Sequence, residues 1–389
     1  MNSEILVVDD EADLELLVRH NFRKSITAGE FKFYFAGDGE QALQLIDLHP
    51  SIELVITDIN MPVMDGLTLL SKASELRRIL KTVIISAYDD MENIRAAMNG
   101  GAYDFLTKPI DFSDLEKTIR KTQRELQILR QGQEAQEQLS TLEHELRIAT
   151  KLQQAILPEL ISGREEFEIA ASMAAARQVS GDFYDFFLID ANHLGLAIGD
   201  VSGKGIPAAL FMAVSRTLLR ATALQGGSPA EVLKRVNHIL LAQSRGEIFL
   251  TLLYGILDLD NGDFRFSSGG QPAAYHCSHH HTGNFLREPR GIMLGVMDNA
   301  TYEDGMAHLE PGDILTFYTD GVTEAENTGR EFFTEAKLKH LLESARTQPA
   351  GKLVGELLSS VQTFTEGVEQ GDDITVLAVQ FRPGAGLRP

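Results

Sequence analysis

The stretch LVITDINMPVMDG, residues 54–66, begins as the apolar run LVIT (54–57) and turns at Asp58 into a loop ending in glycine. Four more such runs surround it: ILVV (5–8), FKFYF (31–35), TVIIS (82–86) and DFLT (104–107). Short continuous apolar runs bounded by turn residues are expected of strands buried on both faces, so together they predict a parallel sheet. Between them, residues 13–24, 39–47, 67–76 and 91–99 carry apolar positions at helical spacing. Repeated strand–helix units predict a doubly wound α/β domain of five parallel strands, with functional side chains at the carboxyl ends of the strands.

In that frame Asp9 and Asp10 follow the first strand, Asp58 the third, Ser86 closes the fourth, and Lys108 with Pro109 follows the fifth. All are expected at one sheet edge. Three carboxylates there cannot stay ionised together without a cation, and oxygen ligands with open positions suit Mg2+. Taken singly, an Asp-Asp pair after a strand is a common helix cap and Lys-Pro a common turn. It is their convergence that argues for a site.

The motifs VVDDE (7–11), TDINMPVMDG (57–66), ISAYDD (85–90) and GAYDFLTKP (101–109), in that order, resemble the receiver domain of two-component response regulators over residues 1–122. The resemblance implies that Asp58 takes a phosphoryl group from a sensor histidine kinase or phosphotransfer protein as an acyl phosphate. Asp10, Asp58 and the backbone carbonyl of Asn60 would ligate Mg2+, with Asp9 assisting through water. Lys108 and Ser86 would contact the phosphoryl oxygens. Phe105 matches an aromatic switch position that turns inward when Ser86 is drawn to the phosphoryl group, and Pro109 is expected after a cis bond.

From 113 to 157 the texture changes to one long helix, continuous with the last receiver helix. Apolar residues recur at Leu115, Ile119, Leu126 and Leu129, lapse over 132–138, and resume at Leu139, Leu142, Leu146 and Ala149, with Pro158 as terminator. Spacings of three, four and seven predict a coiled coil that makes a homodimer, the alternative being a single solvated helix.

Residues 158–383 form a third region, with strand-like runs at 194–199, 249–259, 313–319 and 373–381 and helical stretches at 206–224 and 230–244. This predicts an α+β sandwich, largely antiparallel. Acidic residues cluster beside glycine in four loops: VSGDFYD (179–185), IGDVSGKG (198–205), FYTDGVTEA (317–325) and QGDDITV (370–376). Glycine admits close backbone approach and aspartate supplies hard oxygen, so several such loops around one point make a divalent-metal site, although any one alone reads as a hairpin turn.

That ordered set, with RIATKLQQAILP (147–158) leading into it, resembles the PPM-type metal-dependent serine/threonine phosphatases, in particular the SpoIIE-like branch, over 149–381. The resemblance implies a β-sandwich flanked by helices and two Mn2+ or Mg2+ ions. Asp200 would bridge them, Asp182 and the Val201 carbonyl completing one ion, Asp320 and Asp372 the other. Asp373, adjacent to Asp372, is either an outer support or the direct ligand instead. Two neighbouring ions make hydroxide accessible near neutrality and offset charge in an in-line displacement, without a covalent intermediate. Accordingly Cys277 has no motif around it. His276, His279, His280 and His281 lie in YHCSHHHTGNF, read as a hairpin tip rather than a zinc site, and Lys204 is either a phosphate contact or a solvated lysine.

Bulk properties agree. At 389 residues the chain exceeds one ordinary core. A net charge of -21 opposes nucleic-acid binding. One cysteine and no long apolar run predict a cytoplasmic protein, free of disulfides and not membrane-bound, with a flexible tail at 384–389. The expected function is a response regulator whose Asp58 phosphorylation controls dephosphorylation of a phosphoserine or phosphothreonine protein, by resemblance a STAS-type anti-anti-sigma factor. The alternative is a phosphatase-fold adaptor that has lost catalysis and binds a partner.

Overall fold

The computed structural model describes residues 3–76, 78–87, 90–159, 161, 164–244 and 247–382. Tyr88 and Asp89 of the ISAYDD motif and the tail at 384–389 lie outside the described residues. The chain divides into two compact units, Met1–Thr141 and Leu142–Pro389.

The first unit runs β1 (Ser3–Val8), α1 (Ala12–Asn21), α2 (Arg23–Thr27), β2 (Phe31–Ala36), α3 (Gly39–Leu48), β3 (Ile52–Asp58), α4 (Gly66–Ser74), β4 (Lys81–Ala87), α5 (Met91–Asn99), β5 (Asp104–Lys108) and the start of α6 (Phe112–Ile156). Its strands are all parallel in the order β2-β1-β3-β4-β5. Alternate residues face opposite layers: Ile5, Val7, Leu54 and Ile56 pack with Leu14, Val18, Leu115 and Ile119, while Leu6, Val8 and Val55 pack with Ala42, Ile46 and Leu69. The predicted doubly wound fold is therefore present. The stretch 13–24, read as one helix, is broken at Phe22, whose ring packs edge-on against Phe31 at 5.8 Å.

The predicted long helix is α6, 45 residues in length. The seam on it is shorter than its spacing suggested. Leu115 and Ile119 belong to the receiver core and Leu126 is buried, whereas Leu129, Leu139 and Leu142 are exposed. A helix packing on its own sheet and one packing on a partner helix use the same three-and-four spacing, so sequence alone could not separate the two.

The second unit continues with β6 (Phe167–Ala174), β7 (Phe183–Leu188), β8 (His193–Val201), α7 (Ile206–Ala223), α8 (Pro229–Ser244), β9 (Leu250–Asp258), β10 (Asp263–Gly269), β11 (Tyr275–Cys277), β12 (Asn284–Phe285), β13 (Gly305–His308), β14 (Ile314–Tyr318), α9 (Asp320–Thr323), α10 (Thr334–Ser344), α11 (Ala350–Phe364) and β15 (Ile374–Phe381). Two antiparallel sheets, β13-β10-β9-β8-β7 and β12-β11-β14-β15-β6, stack face to face. Leu194, Leu196 and Ile198 of β8 meet Leu315, Phe317, Leu377 and Val379 between the sheets. On the outer faces Ala197 and Val201 pack under α7 and α8, while Val376 and Ala378 pack under α10 and α11. Burial on both faces explains why VLAV (376–379) reads as an unbroken apolar run. The helices α10 and α11 were not foreseen. Gly351 and Gly355 break the helical signal of α11, which packing through Leu353, Leu357 and Val361 restores. No helix among the described residues is long and apolar enough to cross a membrane.

Candidate functional site

In the first unit β1 ends just before Asp9 and Asp10, β3 ends on Asp58 and β5 on Lys108, so parallel strands deliver all four to one edge. The carboxylates of Asp9, Asp10 and Asp58 lie within 4.8 Å of one another, which no other group of His, Cys, Asp or Glu does among the described residues. Lys108 Nζ stands 2.8 Å from Asp58 Oδ2, 3.1 Å from Asp9 Oδ2 and 3.2 Å from Glu11 Oε1. Burial works against the Lys108 charge, but the Asp58 and Asp9 carboxylates outweigh it and hold its pKa above the ordinary lysine value. Burial pushes Asp9 up, against the N–H of Glu11 and the ammonium of Lys108.

Asp58 is buried and its Oδ1 accepts the N–H of Ile59 at 2.7 Å. Ser86 follows Ile85, the register partner of Asp58, and its hydroxyl is buried with no hydrogen-bond partner among the described residues. An unpartnered buried hydroxyl at this edge is a donor fitted to an incoming oxygen. Gly66 lets the loop carrying exposed Asn60 fold back, since a side chain there would collide with the Asp58 carbonyl. The Lys108–Pro109 bond is cis, and the Phe105 ring is 39% exposed.

In the second unit the four acidic loops meet where the two sheets end. Asp182 precedes β7, Asp200 and Val201 close β8, Asp320 begins α9 after β14, and Asp372 with Asp373 precedes β15. Thr319 Oγ1 donates to Asp182 Oδ2 at 2.8 Å, tying one sheet to the other. Burial pushes Asp182 well up, with the Asp200 charge adding to it. Burial likewise moves Asp200 to about 7, aided by Asp320 and Asp372. Asp320 and the neighbouring Glu324 are raised for the same reasons. Carboxylates brought together out of water at this mutual cost are a donor set for hard divalent cations. They are spread more widely than the receiver trio, and Asp200 is the member that feels the others.

The adjacent aspartates differ. Both Asp373 oxygens are occupied: Oδ1 accepts Ala176 N–H at 2.7 Å, and Oδ2 accepts Ser180 Oγ at 2.7 Å and Gly181 N–H at 2.8 Å. Asp372 is exposed and meets Lys204 Nζ at 3.2 Å, which also donates to the Gly371 carbonyl at 2.5 Å. Two glycines make the loops fit: a side chain at Gly321 would strike the Asp373 carbonyl, and one at Gly181 would crowd the Val201 carbonyl.

The histidines are anchored otherwise. His276 Nε2 lies 2.8 Å from Asp313 Oδ2, His279 N–H donates to Asp313 Oδ1, and His280 and His281 are exposed in the turn between β11 and β12. Burial pushes the Cys277 thiol up to about 12, so it is no nucleophile. Sequence reading missed Thr319, Ser180 and Gln153. Gln153 carried a signal, a polar residue in helical phase with Leu146 and Ala149.

The family model of the response regulator receiver domain matches residues 5–120, and that of stage II sporulation protein E (SpoIIE) matches 190–382. Phosphoserine phosphatase RsbU of Bacillus subtilis is 29% identical over 61% of this chain and 70% of its own length. Protein IcfG of Synechocystis is 31% identical over 60% of this chain, which spans only 41% of that relative. The SiaA PP2C domain of Pseudomonas aeruginosa shares the fold, with a TM-score of 0.55 at 20% identity over 62% of this chain and 98% of that one. Asp9, Asp10, Asp58 and Lys108 lie inside the first match, and Asp200, Asp320 and Asp372 inside the second with Asp182 just ahead of it, so the chain joins a response regulator receiver domain to a SpoIIE-type PPM phosphatase domain.

Proposed function

We propose that this chain is a phosphorylation-controlled hydrolase: Asp58 receives a phosphoryl group from a sensor histidine kinase or phosphotransfer protein, and the second domain removes one from a phosphoserine or phosphothreonine protein. The observation that carries the reading is the presence in one chain of two acidic centres of different construction. One pairs three carboxylates with Lys108. The other gathers Asp182, Asp200, Asp320 and Asp372 at the ends of two sheets.

In the first centre Asp58 is the nucleophile. Lys108 meets the charge of the incoming group, Ser86 donates to one of its oxygens, and Asp9, Asp10 and the Asn60 carbonyl hold Mg2+ with Asp58. Phe105 is the side chain that reports the change. In the second, Asp200, Asp182, the Val201 carbonyl, Asp320 and Asp372 would hold two Mn2+ or Mg2+ ions. Such ions, when bound, supply an activated water and offset phosphoryl charge. Asp373 braces the loops rather than binding metal, and Lys204 adds a positive charge at the cleft beside Asp372. The name of the RsbU relative supports phosphoserine as the substrate class, and the family resemblance supports a STAS-type protein as its carrier. The exposed Leu129, Leu139 and Leu142 of α6 would pair in a homodimer.

The test is hydrolysis of para-nitrophenyl phosphate and of a phosphoserine STAS protein by the full chain with Mn2+ or Mg2+, compared with Asp200→Asn, and with Asp58→Ala in the presence of a phosphodonor. Turnover that survives Asp200→Asn, or a complete lack of turnover with every metal and substrate, would return the adaptor reading. A rate indifferent to Asp58→Ala would remove the control.

A further inference from the structure

The last turns of α6 do more than lead into the second unit. Gln153 is buried, and its side-chain amide grips the backbone of Ser180 from both sides: Nε2 donates to the Ser180 carbonyl at 2.7 Å and Oε1 accepts the Ser180 N–H at 2.9 Å. One turn earlier Thr150 Oγ1 donates to the Gln178 carbonyl at 2.6 Å. The Ser180 hydroxyl then works in two directions. It donates to Asp373 Oδ2 at 2.7 Å and accepts the Asp182 N–H at 3.0 Å. Asp373 also receives Gly181 N–H and is the immediate neighbour of Asp372.

An unbroken set of hydrogen bonds thus runs from a helix side chain to the loop carrying Asp182 and the loop carrying Asp372, which belong to different sheets. An amide bonded to both the N–H and the carbonyl of one residue fixes distance and tilt, and buried polar groups leave no slack, because any displacement exposes unpaired donors. We propose that Gln153 is a positioning residue for the phosphatase centre: through Ser180 and Asp373 it sets the spacing between the Asp182 and Asp372 loops, so that the seating of the end of α6 governs divalent-ion affinity.

The inference rests on the reading of Asp182, Asp200, Asp320 and Asp372 as metal ligands, and the experiment separates the two. Mn2+ is titrated into the full chain and free Mn2+ is read by its electron paramagnetic resonance signal, for wild type and Asp200→Asn. Sites lost in Asp200→Asn are those of the phosphatase domain. If the two proteins bind alike, the ligand reading fails, whatever Gln153 does. Where they differ, Gln153→Leu is expected to raise the Mn2+ concentration that half-fills the Asp200-dependent sites about tenfold, the scale of losses when an outer support of a metal ligand is removed. Its circular dichroism and its Asp58 phosphorylation should match wild type. Gln153→Glu keeps the acceptor for Ser180 N–H and loses the donor, so it should fall between the two. It carries the test if Gln153→Leu does not fold. Leu157→Ala, which removes packing at the same helix end, should lower the melting temperature without moving the titration. Wild-type titration in a folded Gln153 variant, or an equal shift in Leu157→Ala, overturns the proposal.

Discussion

Replacing Asp372 and Asp373 one at a time by alanine should produce opposite defects. Asp373 accepts three hydrogen bonds, from Ala176 N–H, Ser180 Oγ and Gly181 N–H. Bonds to a charged acceptor contribute about 1.5–3 kcal/mol each. Two offsets apply. The carboxylate is only half-buried, so water can replace part of what is lost, and its removal relieves repulsion on Asp182 and Asp200. A net loss of about 3 kcal/mol is reasonable on that basis. At about 2–4 °C per kcal/mol for a domain of this size, Asp373→Ala should melt roughly 6–12 °C below wild type in metal-free buffer. Asp372 is exposed and holds one ion pair, with Lys204, so Asp372→Ala should melt within about 1–2 °C of wild type. With Mn2+ the ranking reverses in kind: wild type and Asp373→Ala gain stability on metal addition, while Asp372→Ala gains much less because a ligand is gone. Calorimetry with and without Mn2+ reads both effects. Equal metal-free melting temperatures for the two variants, or a full Mn2+ response in Asp372→Ala, would refute the assignment of ligand and brace.

In the receiver, Asp58→Ala should give no phosphorylated band with acetyl phosphate on a phosphate-affinity gel, and Ser86→Ala should slow band formation about tenfold or more, the loss of one charge-assisted hydrogen bond. At Asp313, burial opposes ionisation, but His276 and the N–H groups of His279 and Glu310 hold the carboxyl below its usual 3.8. A depressed folded-state pKa contributes stability above the unfolded value that is lost as pH falls through the folded one. Wild type should therefore lose urea resistance more steeply than Asp313→Asn as pH falls below about 4, and parallel curves would count against the pairing. Gly321→Ala should force the Asp320 loop away from the Asp373 carbonyl, costing about 1–3 kcal/mol and weakening Mn2+ binding. A melting curve and a titration identical to wild type would show the contact to be loose.

The receiver was legible because its chemistry sits on strand ends and a parallel sheet puts all strand ends on one edge; Asp9, Asp10, Asp58 and Lys108 could be placed from order alone. In the second unit the four aspartates were legible as motifs, but not their division of labour. Asp372 and Asp373 are the same residue type one position apart, and only the fold shows that Ala176, Ser180 and Gly181 take up the second. Gln153 and Thr319 were hidden for a related reason. Each works through a contact with a loop distant in sequence, Ser180 for one and Asp182 for the other; the helical phase of Gln153 marks it as inward-facing without naming that partner, and nothing local marks Thr319. The seam on α6 was misjudged in length because Leu115 and Ile119 have the spacing of a dimer interface and the burial of a receiver core.

On the proposed function the same side chain stores a phosphoryl group in one domain and helps remove one in the other, and the difference would follow from what stands next to it. Asp58 has a fixed ammonium at 2.8 Å and a single cluster of acids around it. One divalent ion with Lys108 would balance those three carboxylates, and the charge of an added phosphoryl group is then met by groups already in place, so an acyl phosphate can persist. The largest influences on Asp200 are burial and the neighbouring aspartates. Its centre would reach balance only with two divalent ions, which leaves the carboxylates engaged as ligands and water as the available nucleophile. Lys204 lies at the margin of that centre, paired with Asp372. Moving a cation inward should therefore poison the second centre: a lysine in place of Thr319, whose hydroxyl touches Asp182, should abolish Asp200-dependent Mn2+ binding while leaving Asp58 phosphorylation intact. Retention of those Mn2+ sites in a folded Thr319→Lys protein would mean that charge balance does not set the division of tasks.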